Sequence, residues 1–166
     1  ANYGTLTLVE ALKVTEAVAG VPVIDGLEDD LWADANEIST DVAVQGSSGS
    51  TAKVKTLWDG NHLYVYAVVS DTLLSKVSNN VWEEDSIEVF IDQNNGKTAE
   101  YEADDAQSRI IFDNEQSFNG AASADTITST TRIITATIGI TQTEVITVGY
   151  AVELVITLEA VTPENG

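Results

Sequence analysis

The chain has 166 residues, 43% of them hydrophobic, and carries 27 Asp+Glu against 7 Lys+Arg, a formal charge of −20. That is the composition of one globular domain with a real core, and a surface this negative repels phosphate, which excludes nucleic acid and anionic membranes as partners. With no cysteine and one histidine, disulfide scaffolds, thiolate zinc and iron–sulfur sites, cysteine nucleophiles and multi-histidine metal sites are excluded as well. Thr, Val and Ile dominate, and several segments alternate with period two, which is the pattern of strands. Tyr3–Val9 reads as a short strand, Val23–Gly26 as a strand ending in a turn, and Leu27–Trp32 as one helical turn. Gln45–Ser50 is a Gly/Ser loop. Ala52–Leu57 is a strand, closed by the hairpin turn Asp59-Gly60-Asn61. Leu63–Ser70 is apolar almost throughout, so it is expected to be buried on both faces. Ser86–Asp92 alternates: Ile87, Val89 and Ile91 share one face, and Glu88, Phe90 and Asp92 the other. Asn94-Asn95-Gly96 is a turn, and Asn119–Asp125 a loop of small residues. Arg109–Phe112, Arg132–Ile140 and Tyr150–Leu158 are strands, and the Thr/Ile-rich stretch Thr126–Thr147 is a hairpin. No apolar run approaches the roughly 18–20 residues of a membrane span. About eight strands or more joined by short turns predict an all-β, antiparallel, jelly-roll-like β-sandwich.

The residue types left for site chemistry are carboxylates, amides, hydroxyls, aromatics and two arginines. Trp82 stands in a loop among Asn79, Asn80, Glu83, Glu84 and Asp85, where an exposed indole can stack on the apolar face of a pyranose. Trp32 and Trp58 are expected in the core or at its rim, and His62 at a turn or edge. Glu88 is either part of a solvated strand face or an acceptor for sugar hydroxyls. The fork of Arg109 can donate to vicinal hydroxyls or pair with an acid. Asp85, Asp92, Glu102, Asp104 and Asp105, with Asn94, Asn95 and Gln107, are too dense to sit comfortably unpaired. They form either a solvated acidic surface or a calcium site built from oxygen ligands, though not at the spacing of an EF-hand. Asp71, after the buried strand, is a further candidate.

Three ordered segments carry a resemblance. Pro22–Trp32 contains Val23-Ile24-Asp25-Gly26, Thr51–Tyr66 contains Leu57-Trp58-Asp59-Gly60-Asn61, and Val81–Gln107 opens with Trp82-Glu83-Glu84-Asp85-Ser86-Ile87-Glu88. Together they resemble the family 9 carbohydrate-binding modules of secreted xylanases and related plant-wall enzymes. The resemblance implies a non-catalytic module that binds the reducing ends of cellulose, xylan or their oligosaccharides and holds a linked enzyme near polysaccharide. It implies sugar contacts for Trp82, Glu88 and Arg109, with Ile111 where the family commonly has an Asn that also reaches the ligand. It also implies structural calcium, for which Asp71, Asp85, Asp92, Glu102, Asp104, Asp105 and Gln107 are the candidate ligands, and a secreted, extracellular and even cell-surface-attached protein.

The family continues beyond the segment matching Gly149–Leu154 with further strands and a second sugar-stacking tryptophan. Residues 1–13 resemble the last strand of a preceding copy, and residues 14–166 the module itself. The absence of Met and of a signal peptide reads as a mature or excised segment of a tandem array. A strand donated within the chain or to a neighbour is the alternative arrangement. The second functional class is a calcium-dependent extracellular filament or surface-layer subunit that assembles by strand exchange. A glycosidase would need two carboxylates roughly 5–10 Å apart across a cleft, and the resemblance is to a binding module, so no enzyme is expected.

Overall fold

The computed structural model describes residues 17–40, 42, 49–140 and 144–158. The strand expected at Tyr3–Val9, and with it residues 1–13, lies outside the described residues, as does most of the Gln45–Ser50 loop. Among the described residues there are nine strands: β1 (Val18–Ala19), β2 (Glu37–Ser39), β3 (Thr51–Asp59), β4 (His62–Ser70), β5 (Ser86–Asp92), β6 (Asp105–Ile111), β7 (Gln116–Gly120), β8 (Ile127–Ile138) and β9 (Glu144–Thr157). One sheet is ordered β1-β3-β4-β9-β8, with β2 also alongside β3, and the other is β5-β6-β7. Every pairing is antiparallel except β1 with β3. The two sheets form the β-sandwich that the alternation predicts, and no helix among the described residues is long and apolar enough to cross a membrane.

The near-continuous apolar run of β4 has a direct cause. Val65 and Val69 face the small sheet with Val152, Leu154 and Ile156 of β9, and Ile110, Ile87, Val89 and Ile91 close this main core from the other side. Tyr64 and Tyr66 point the opposite way, with Ala151, onto Trp32, Ala35 and Leu57. The large sheet is therefore covered on both faces, and its central strands have apolar residues at both parities.

The cover on the second face is the N-terminal segment, which corrects two expectations. Val23–Gly26 is not a strand, and the helical turn lies slightly later, as a 3-10 turn at Asp30–Asp34. The backbone N–H groups of Asp25 and Gly26 donate to Glu153 Oε2 on β9 at 3.0 and 2.8 Å. They satisfy a buried carboxylate instead of a strand ladder. Gly26 adopts φ +79°, the left-handed region that favours glycine. Trp32, fully buried, donates its indole N–H to Glu153 Oε1 at 2.9 Å, and Arg132 Nε donates to the Gly26 carbonyl at 3.1 Å. Glu153 is itself fully buried, and burial pushes its carboxyl above the usual range although three N–H groups pull it down.

β7 was not expected, and Asn119 and Gly120 belong to it rather than to a loop. Its sequence, Gln-Ser-Phe-Asn-Gly, has almost no strand propensity, and the ladder to β6 recruits it.

Candidate functional site

Cross-strand partners share a face of a sheet, so the register of β5-β6-β7 arranges the outer face of the small sheet in rows. Glu88, Arg109 and Ser117 form one row, and Phe90, Gln107 and Asn119 the next; Asp92 and Asp105 form the third. At two residues per step the rows lie about 7 Å apart.

The first row is a fixed hydrogen-bonding array. Arg109 Nε and Nη2 contact Glu88 Oε1 at 2.7 and 2.6 Å, and Arg109 Nη1 donates to Ser117 Oγ at 3.0 Å. Gln107 reaches across from the second row and donates to Glu88 Oε2 at 2.8 Å. Arg109 is only 8% exposed, while Glu88 lies open to solvent. The arrangement holds an acceptor and a donor fork in one orientation before any ligand arrives, which lowers the entropy cost of meeting a polyhydroxylated ligand. Ser117 and Gln107 enter through this geometry. Gln107, two residues from Arg109 on one strand, could have been placed on the same face from the sequence, whereas Ser117 required knowing that β7 exists.

Trp82 sits on a 3-10 turn, Val81–Glu83, that leads into β5, and it is 66% exposed. The loop carrying it is closed at its base: Ser75 N donates to Asp85 Oδ2 at 2.6 Å, and Asp85 N to the Ser75 carbonyl at 3.1 Å. Lys76 ties the same loop to Asp113 and Glu115 at 2.7 and 2.6 Å, and Ser78 bonds Glu83 across the turn. Such a closed loop presents its tip in a defined place. No other aromatic ring among the described residues meets the indole. The structure thus joins Glu88 to Arg109 and sets Trp82 apart, on the loop entering the same strand. Ile111, opposite Ser86, is 2% exposed and belongs to neither core.

The seven candidate cation ligands divide into separate places. Asp92, Asp104 and Asp105 bring ligand oxygens within 4.8 Å of one another. Asp92 accepts the Gly96 and Lys97 N–H groups at 3.0 and 2.8 Å, and these bonds, led by that of Lys97, hold its carboxyl below the usual range. Asp104 accepts from Asn94, and Asp105 Oδ2 from Glu102 N at 2.7 Å. Asp105 Oδ1 is buried and accepts no hydrogen bond from any described residue. Three carboxylates with oxygens this close, one of them carrying a buried oxygen without a donor, fit a hard cation, which would neutralise the cluster. Glu102 Oε2 lies beside Asn94 Oδ1 at Gly96, on the same loop. Asp71 and Asp85 instead line a separate cavity of about 580 Å³ with Ser70, Thr72 and Val148. There burial, and then the two acids, raise the hydroxyl of Tyr150. Gln107 belongs with Glu88 and not with the acids. As expected, Trp32 is core and His62 follows a turn, where its Nδ1 lies 2.8 Å from Asp59 Oδ1.

Comparison with known proteins agrees with this architecture. The family described as "Carbohydrate family 9 binding domain-like" matches residues 24–166. The chain is 43% identical over 164 residues to endo-1,4-beta-xylanase A of Thermoanaerobacterium saccharolyticum, covering 99% of the chain and 13% of that enzyme. To endo-1,4-beta-xylanase C of Paenibacillus barcinonensis it is 48% identical over 160 residues, covering 96% of the chain and 14% of that enzyme. The chain therefore spans only about a seventh of these relatives' length. A family 9 carbohydrate-binding module from Caldicellulosiruptor kristjanssonii, solved in complex with cellotriose, superposes with a TM-score of 0.74 at 28% identity, covering 90% of the chain and 69% of that module. The chain belongs to the carbohydrate-binding module family 9, whose members are non-catalytic binding modules.

Proposed function

We propose that the module binds the reducing ends of cellulose- or xylan-derived chains and their oligosaccharides, using Trp82, Glu88 and Arg109, and so holds a linked enzyme near insoluble polysaccharide. The observation that carries this reading is the array in which Arg109, Gln107 and Ser117 pre-orient Glu88 on an open sheet face. The indole supplies the apolar contact and the array the hydroxyl contacts. The related module bound to cellotriose supports cello-oligosaccharides as the ligand class. Such polymers lie outside the cell, so the reading implies a secreted protein. Asp92, Asp104 and Asp105 would hold calcium; it would supply charge neutralisation and loop rigidity, while the chemistry of recognition stays with the sugar contacts.

Calorimetric titration with cellobiose, and then with its reduced alcohol, tests the reading. Binding of cellobiose alone is the expected result, and Trp82→Ala should abolish it while leaving the fold intact. Full affinity for cellobiose in Trp82→Ala would refute the site assignment.

A second reading rests on β8, a twelve-residue strand at the edge of its sheet among the described residues. An edge of that length can accept a strand from another copy. Calcium-dependent growth in mass by light scattering would support assembly, and a constant monomer would exclude it.

A further inference from the structure

We propose that Asn119 is a site of spontaneous deamidation, at which the backbone nitrogen of Gly120 displaces ammonia from the Asn119 side chain and water then leaves aspartate or isoaspartate at the end of β7. The pair Asn-Gly occurs at 95–96, 119–120 and 165–166, and the last of these lies outside the described residues. A glycine after asparagine leaves its amide nitrogen open to the side chain, because no Cβ stands beside it. The fold sets the two described pairs apart. At the first, the nucleophile is occupied: the Gly96 N–H donates to Asp92 Oδ1 at 3.0 Å. At the second, the Gly120 N–H donates to Oδ1 of Asn119 itself at 2.9 Å. Cγ, the atom to be attacked, is one bond from that oxygen, so the pair is held near an attack conformer.

The sheet leaves this nitrogen free. The Ala121 N–H turns inward to the Asp105 carbonyl at 2.7 Å. Amide directions alternate along a strand, so the Gly120 N–H turns outward, and β7 is the terminal strand of its sheet among the described residues. No ladder bond has to break before attack. Asn119 and Gly120 are both exposed, so base and water reach them. The fold also demands the residue that makes Asn119 labile. Gly120 adopts φ +66°, and a Cβ there would meet the Asp105 carbonyl and the ring of Tyr101.

In the reaction the Gly120 nitrogen loses its proton to solvent base and bonds to Asn119 Cγ. The Cγ–NH2 bond breaks, and ammonia leaves with a proton from water. Water then opens the cyclic imide at either carbonyl. Opening at Cγ gives aspartate, and opening at the backbone carbonyl gives isoaspartate, with an extra methylene in the main chain of β7. The net exchange is water for ammonia, with no oxidation or reduction. Either product adds a negative charge in the row of Phe90 and Gln107.

The test is ageing of the folded protein in mildly alkaline buffer, and of the unfolded chain in urea, with site-resolved peptide mapping by mass spectrometry. In the folded protein Asn119 should convert about tenfold faster than Asn95. That factor corresponds to about 1.4 kcal/mol in a barrier, the low end of what a hydrogen bond to a charged group contributes. In urea the two pairs lose their different settings, and their rates should approach each other. Asn119→Gln, whose longer side chain cyclises far more slowly, should remove the acidic species that anion exchange resolves from the aged parent. Conversion of Asn95 as fast as Asn119 in the folded protein overturns the proposal. So does a rate ratio unchanged in urea, which would place the cause in the neighbouring sequence, and so does an intact Asn119 in folded protein over a time in which the unfolded chain converts.

Discussion

Replacing Glu153 by Ala tests whether one buried carboxylate holds the N-terminal cover onto the large sheet. The substitution leaves three donors without their acceptor: the N–H groups of Asp25 and Gly26 and the indole N–H of Trp32. Asp25 is exposed, and its N–H can turn to water, whereas Gly26 and Trp32 are buried. Two orphaned buried donors cost about 1–3 kcal/mol each, a gross loss of about 2–6 kcal/mol. Part is offset, because burial already disfavours the ionised carboxyl and the substitution relieves that cost. A net loss near 3 kcal/mol lowers the melting temperature of a chain this size by about 6–12 °C. Differential scanning calorimetry gives the answer. Melting within about 2 °C of the parent would show that the three bonds contribute little net and would refute the reasoning. Glu153 points to the face of the large sheet away from β5-β6-β7, so cellobiose affinity of the folded variant should not change. A large affinity loss would reveal coupling between the two faces that the layered packing does not contain.

The remaining predictions concern the cation cluster, titration and the arginine fork. If calcium binds the native cluster at about a hundred times its dissociation constant, it adds about 2.7 kcal/mol, so chelation should lower melting by about 5–11 °C. Asp105→Asn should erase that difference, and equal melting of the parent with chelator and with calcium would remove calcium from the account. The raised Glu153 carboxyl contributes stability that is complete below its unfolded value and lost as pH rises through its folded value. Thus the stability advantage of the parent over Glu153→Gln should shrink from acid to neutral pH, as read from melting temperatures. Asp92 works in the opposite sense, because its folded value is depressed: its contribution is lost on acidification, and Asp92→Asn should flatten the acid limb measured without calcium. Arg109→Lys keeps the charge but loses the fork that grips both Glu88 and Ser117. Cellobiose affinity by calorimetry should fall by about tenfold, the cost of one charge-assisted bond.

The parts of this fold legible in the sequence are those where a local pattern and its burial coincide. β4 is apolar at both parities because both of its faces are covered, and β5 alternates because one face looks to water. Where tertiary contacts decide, the local pattern misleads. Val23–Gly26 has the residues of a strand, but Glu153, far away in sequence, takes the N–H groups a ladder would need. β7 has the residues of a loop, yet pairs with β6. The site divides in the same way. The face of Glu88 was readable from alternation, but its contact with Arg109 depends on the β5–β6 register, across 21 positions. The acids looked like one group because they are close in sequence. Register keeps Asp105 opposite Asp92 but sets Gln107 opposite Phe90, and the fold carries Asp71 and Asp85 to a cavity elsewhere.

Ile111 offers the sharpest test of how the sugar lies. It shares a face with Arg109 and stands one row nearer the Trp82 loop, yet it is 2% exposed and outside both cores. The family resemblance implies an asparagine there that reaches ligand. Ile111→Asn removes a buried apolar side chain worth about 1.5–3 kcal/mol and introduces an amide that costs about 1–3 kcal/mol if it finds no partner. The ligand-free variant should therefore melt lower, by about 5 °C or more. If a bound sugar ring lies between Trp82 and the Glu88–Arg109 row, the new amide meets a hydroxyl. One such bond adds about 1 kcal/mol, or about fivefold in affinity, so the cellobiose-induced rise in melting should be larger than in the parent. A lower melting temperature with no gain in affinity would refute that placement. It would put the ring on the other side of Arg109, toward Phe90, with Ile111 acting only as packing behind the fork.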